Sequence, residues 1–214
     1  VVIEEFKQRY LNQPYGDVWL KLRPLAYKEH PYQWPTIGKE ISHIEDATLE
    51  DVKAFFYKHY SPQNAILSIA GNFEDAYVED RVNHWFGDLD SKTKYLREIP
   101  AEPEQEELRI EHIDRDVPAD SFYFAYKMSG RNHKDYYTAD LISDILGRGK
   151  SSRLYDQLLK NRNLVSEISA YITGSEDTGL LVISGKSTKK NTFDKIEVEI
   201  NNIISAMQVN EISE

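Results

Sequence analysis

The chain has 214 residues, 40% hydrophobic and 12% aromatic, which is enough for a sizeable core and excludes disorder throughout. A net charge of −10, with no block of basic residues, excludes the cationic surface that nucleic acid needs as a partner. Cysteine is absent, which removes disulfides, thiolate zinc sites, iron–sulfur clusters and thiol nucleophiles, and no apolar run reaches the roughly 18 residues that span a bilayer.

The opening stretch, Val1-Val2-Ile3-Glu4-Glu5-Phe6-Lys7-Gln8-Arg9, has no N-cap residue and no Pro at a first turn. It is therefore expected to begin inside a helix that belongs to a longer chain. At about 100° per residue, Val2, Ile3, Phe6 and Tyr10 share one side of that helix. Glu4 falls almost opposite this apolar face, whereas Glu5 sits on its flank, one turn after Val1. A carboxylate on such a border is either solvated or held at the edge of a core, where a metal or a positive partner could fix it.

Asn12-Gln13-Pro14-Tyr15-Gly16 marks a break, followed by a helical pattern over Val18, Leu20, Leu22, Leu25 and Tyr27. Glu29-His30-Pro31-Tyr32-Gln33-Trp34-Pro35-Thr36-Ile37-Gly38 then reads as a rigid aromatic loop that crosses a surface on a fixed path. Thr48 caps the next helix, with Glu50 and Asp51 in its first turn and Val52, Phe55, Phe56 and His59 or Tyr60 as its buried stripe. Pro62 stops it. Residues 64–71 alternate as a strand, and a helix from about Glu74 carries Val78, Val82, Trp85 and Phe86.

Residues 97–107 hold two prolines and five acids and are expected to be a solvated, extended linker. Two strands follow, one over Leu108, Ile110 and His112 and one over Phe122, Phe124 and Tyr126. A helix over residues 136–146 places Ala139, Ile142 and Leu146, with Leu141 and Ile145, inward. Ser151 or Ser152 caps a helix that buries Leu154, Tyr155, Leu158 and Leu159. Residues 166–174 and 179–185 read as paired strands joined at Ser175-Glu176-Asp177, and a last helix from about Thr192 carries Phe193, Ile196, Ile200, Ile203, Ile204 and Met207 on one face. The sum is an α+β protein, a mainly antiparallel sheet covered on one face by helices. Composition divides it into residues 1–96, the acidic linker 97–107, and residues 108–214.

The chemistry-bearing motifs are incomplete. His30, His43, His59, His84, His112 and His133 contain no H-E-x-x-H or H-x-x-E-H pair, so no single helix offers two zinc-binding imidazoles. Gly147-Arg148-Gly149-Lys150-Ser151-Ser152 lacks Walker spacing and follows a helix rather than a strand, so it reads as a helix–helix turn in which Gly supplies a positive φ. No G-x-S-x-G nucleophile elbow is present.

Several stretches, taken in order, resemble the pitrilysin/insulinase family of zinc metallopeptidases, which includes the mitochondrial processing peptidase. Val1-Val2-Ile3-Glu4-Glu5 resembles the helix that carries the distal zinc-binding glutamate. His30-Pro31-Tyr32 followed by Gly38 is similar to the family's H-P-Y…G loop. The run from Thr48-Leu49-Glu50-Asp51 through Phe55-Phe56, Tyr60, Pro62 and Asn64 to Gly71 follows its helix–turn–strand signature, and Ser151-Ser152-Arg153-Leu154-Tyr155 resembles its S-S-R-L-Y helix start.

The resemblance implies a metalloendopeptidase in which an H-x-x-E-H helix and a distal glutamate hold zinc, and a zinc-activated water hydrolyses the peptide bond. It aligns Glu5, rather than Glu4, with the ligand. The H-x-x-E-H segment is absent from the 214 residues and is expected upstream of Val1, as is a supporting glutamate two turns before the ligand. The chain alone is then expected to be inactive and to bind no zinc. The family's second domain carries a substrate-binding Arg and Tyr, whose positions match Leu159 and Ser166 here. This implies that residues 1–96 are the later part of the zinc-bearing half and residues 108–214 an inactive-domain-like half. Implied partners are a peptide or unfolded protein pairing with a sheet edge, the missing upstream segment, and a second similar domain or subunit. The alternative within the family is a non-catalytic scaffold or partner subunit.

Overall fold

A computed structural model describes residues 1–89, 96–189 and 192–209, which group into two compact units. One unit comprises residues 7–35 together with everything from residue 102 onward; the other comprises residues 1–6 and 36–101.

The larger unit is organised by a three-stranded antiparallel sheet, β1 (Ser121–Met128), β2 (Val165–Ile172) and β3 (Gly179–Ser187), in the order β1-β3-β2. Strand alternation decides its two faces. Phe124 stands opposite Ile183, which also stands opposite Ala170, and these point to the same side. There they meet α6 (Tyr136–Gly147), a wide helical turn over Tyr155–Asn161 and α7 (Phe193–Val209), which contribute Leu146, Leu158, Ile196 and Ile200, with Leu154 just before the turn, to one continuous core. Tyr123, Ala125, Leu180, Val182 and Tyr171 line the opposite face. They pack on an arm formed by α2 (Val18–Ala26) and the turn that follows it, through Trp19, Ala26, Tyr27 and Tyr32. The helical cover on one face agrees with the α+β reading, and the arm is an addition to it.

Two glycines in the 147–152 turn serve different needs. Gly149 adopts φ +79°, the left-handed conformation expected of this turn. Gly147 is needed for space, because a Cβ there would stand 2.0 Å from the backbone nitrogen of Ala170, where α6 crosses β2. Ser152 is buried, but its hydroxyl donates back to the Gly149 carbonyl (2.8 Å) instead of accepting from the following helix.

The smaller unit has α1 (Val2–Phe6), α3 (Ser42–Glu45), α4 (Leu49–His59) and α5 (Asp75–Phe86). The start of α4 forms as its sequence dictates: the Thr48 hydroxyl accepts the Asp51 N–H (3.2 Å), and the Asp51 carboxylate accepts the Thr48 N–H (3.0 Å). The expected buried stripe of α4 is not buried: Val52, Phe55, Phe56 and Tyr60 are exposed, Phe55 by 59%. Residues 65–70 belong to no ladder among the described residues, and the same holds for residues 108–112. An amphipathic pattern states which side wants burial; it does not supply the layer that buries it.

Candidate functional site

Glu5 lies on α1, its N–H donating to the Val1 carbonyl (2.9 Å), and the chain continues through a wide turn closed by Asn12 N–H on the Lys7 carbonyl (2.8 Å). Its side chain is exposed, while the adjacent Phe6 is only 4% exposed. Among the described residues no group of three or more His, Asp or Glu side chains is placed to hold a metal ion. A catalytic zinc takes three protein ligands and keeps a fourth position open. One exposed carboxylate does not amount to that cage, so no zinc chemistry follows from these residues alone.

The H-P-Y loop forms the most elaborate polar constellation. His30 is extended (φ −69°, ψ 139°), as a residue before proline should be, and Pro31 opens a single 3-10 turn, Pro31–Gln33. The His30 ring is 2% exposed. Its Nδ1 accepts the Tyr32 N–H (3.1 Å), which leaves the ring proton on Nε2 to donate to Asp177 Oδ2 (3.0 Å). Asp177 sits in the β2–β3 turn and donates its own N–H to the Tyr32 hydroxyl (3.5 Å). Tyr32 lies 4.1 Å from the His30 ring, and edge-on to Tyr27 at 5.7 Å.

Tyr27 closes the cluster by donating its hydroxyl to the Thr178 carbonyl (3.0 Å). Burial pushes its pKa up to about 12, outweighing the opposing field of the Arg23 guanidinium, so the phenol stays a donor. Arg23 donates to the Tyr32 carbonyl (3.0 Å). The constellation contains no nucleophile. Its chemistry is positional: it fixes the arm against the β2–β3 turn.

Leu154 and Leu158 of the S-S-R-L-Y region are fully buried, Leu159 is half-buried and Ser166 is exposed on β2. The structure thus brings His30 and Tyr32 together with Asp177, while Glu5 lies in the other unit. Reading the sequence missed Asp177 as a partner of His30, since nothing distinguishes it from the other acids of a polar turn.

Residues 46–214 match the family model described as the peptidase M16 inactive domain. The chain belongs to that family. It is similar to the zinc protease PqqE of Helicobacter pylori, at 28% identity over 100% of this chain and 49% of the relative. An uncharacterized zinc protease of Bacillus subtilis, YmxG, is 25% identical over 97% of this chain and 49% of its own length. The crystal structure of a protease from Helicobacter pylori superposes with a TM-score of 0.85 at 28% identity, over 100% of this chain and 52% of that one. The M16 chain described here therefore spans about half the length of the curated relatives it matches. No helix among its described residues is long and apolar enough to cross a membrane.

Proposed function

We propose that this M16 chain is part of a zinc-dependent metalloendopeptidase and contributes Glu5 as one of three zinc ligands, the other two coming from an H-x-x-E-H segment outside the 214 residues. The observation that carries this is similarity along the whole chain to a protein named a zinc protease. The border position of Glu5, exposed beside the buried Phe6, supports it. By the same proposal residues 1–96 are the later part of the zinc-bearing half, 97–107 a connection, and 108–214 the inactive-domain-like half. A peptide or unfolded segment is the substrate, and a second similar domain or subunit completes the chamber that holds it. On its own the chain is not a peptidase.

Zinc content and peptide cleavage by the longer protein, compared with its Glu5→Gln variant, test this. Loss of bound zinc and a fall in cleavage of at least about a hundredfold are expected, the scale on which removing a metal-site group acts. Unchanged metal and activity in the variant reject Glu5 as a ligand. A longer protein that holds no zinc and cleaves nothing before substitution is the non-catalytic scaffold instead.

A further inference from the structure

The acidic connection 97–107 contains five glutamates, of which Glu98, Glu104, Glu106 and Glu107 are exposed. Glu102 differs: its side chain is 0% exposed. A fully enclosed carboxylate is rare unless every lone pair is engaged, and here both oxygens are. Oε2 accepts the backbone N–H groups of Lys28 (3.0 Å), Glu29 (3.0 Å) and His30 (2.9 Å). Oε1 accepts the Lys28 N–H (2.9 Å) and the Lys127 ammonium (3.0 Å).

These three N–H groups are available because residues 28–30 lie past the end of α2 and before the Pro31–Gln33 turn, so no helical carbonyl claims them. Successive N–H groups converging in this way form a concavity that suits an anion. Lys127, on β1, adds a full positive charge and also donates to the Pro103 carbonyl (2.8 Å). Every hydrogen-bond partner of the carboxylate is a donor, a set that accepts a charged oxygen pair and leaves a neutral amide with its NH2 opposed.

We propose that the N–H groups of residues 28–30, together with Lys127, form a carboxylate receptor whose resident ligand is Glu102, and that this contact pins the connection at residues 102–103. Residues 102–103 are then fixed to the arm and to β1. The H-P-Y turn is held from both ends, its backbone by Glu102 and its His30 ring by Asp177. Glu102 is thus a positioning residue for that turn, a role that no motif in the connection announces.

Amide hydrogen exchange on the full 214-residue chain tests this with Glu102→Ala, Glu102→Gln and Lys127→Met, each in sodium chloride and in sodium acetate at equal ionic strength. In Glu102→Ala the amides of residues 28–30 are expected to exchange about tenfold to a hundredfold faster, the range of a lost charge-assisted hydrogen bond, while those of β3 keep their wild-type rates. Acetate, but not chloride, should slow them again by entering the vacated receptor. Lys127→Met should give a smaller acceleration at the same amides. Unchanged exchange at 28–30, or recovery in chloride equal to that in acetate, or no recovery in acetate, overturns the receptor. If the alanine variant fails to fold, Glu102→Gln decides: it keeps the volume and one acceptor, and wild-type exchange at residues 28–30 in it overturns the proposal.

Discussion

The two units of this chain follow the same sequence rules and reach different ends. Around the sheet, alternating strands and amphipathic helices meet as complementary layers, and Leu154, Leu158, Val182, Ile183, Ile196 and Ile200 lose all contact with water. Between residues 36 and 101 the helices are also amphipathic, α4 carries a complete capping box, and yet no described hydrophobic residue is buried. Trp85 is 71% exposed. Capping and periodicity specify a helix, but most helical stability in a protein comes from packing of its apolar face. The teaching is that local correctness and tertiary stability are separable, and here they are separated within one polypeptide.

The largest expected contrast is in hydrogen exchange of the chain by itself. Amides in the middle of β3 should exchange at least about a thousandfold more slowly, relative to their intrinsic rates, than those of α4 and α5. Comparable protection in the two units would remove the distinction. Side-chain truncation should divide them in the same direction. Leu154→Ala should cost about 2–5 kcal/mol in urea unfolding, whereas Phe55→Ala should stay within about 0.5 kcal/mol. An equal cost at both positions would mean that Phe55 is buried in solution.

Acid should act on the sheet unit through Glu102. Burial alone would raise its pKa, but the N–H groups of His30, Glu29 and Lys28 and the Lys127 ammonium outweigh burial and bring it down to about 2, from 4.5. Because the folded value is the lower one, the stabilisation is fully present above pH 4.5 and is lost as the pH falls toward 2. Unfolding titrations between these limits should show wild type losing stability more steeply than Glu102→Gln; parallel profiles would contradict this. At the α6–β2 crossing Gly147→Ala should destabilise by at least about 1–3 kcal/mol, because the added methyl meets backbone that cannot swing aside.

Much of the sheet unit was legible in the sequence. Phe122, Phe124 and Tyr126 announced β1, the turn at 175–177 announced the β2–β3 hairpin, and Ile196 and Ile200 announced the buried side of α7. Those signals are periodicities of two and 3.6, and both survive without knowledge of partners. Residues 64–71 and 108–112 carry the same period of two but form no ladder among the described residues, since a strand is completed by a neighbour that its own sequence does not name. The polar contacts were the least legible. His30 stood out through its proline and tyrosine, but Asp177 and Glu102 are ordinary acids in an acid-rich chain. What distinguishes them is three-dimensional: one ring nitrogen within 3.0 Å, and three main-chain donors converging on one carboxylate.

The run over residues 65–70 has a bearing on how the molecule behaves in concentrated solution. Ala65-Ile66-Leu67-Ser68-Ile69-Ala70 carries no charge and no proline, and Ile66 is 98% exposed. Six such residues have the composition of a segment that stacks with copies of itself. Association between molecules should begin there, and a single lysine in place of Ile66 is the change best suited to keep them apart.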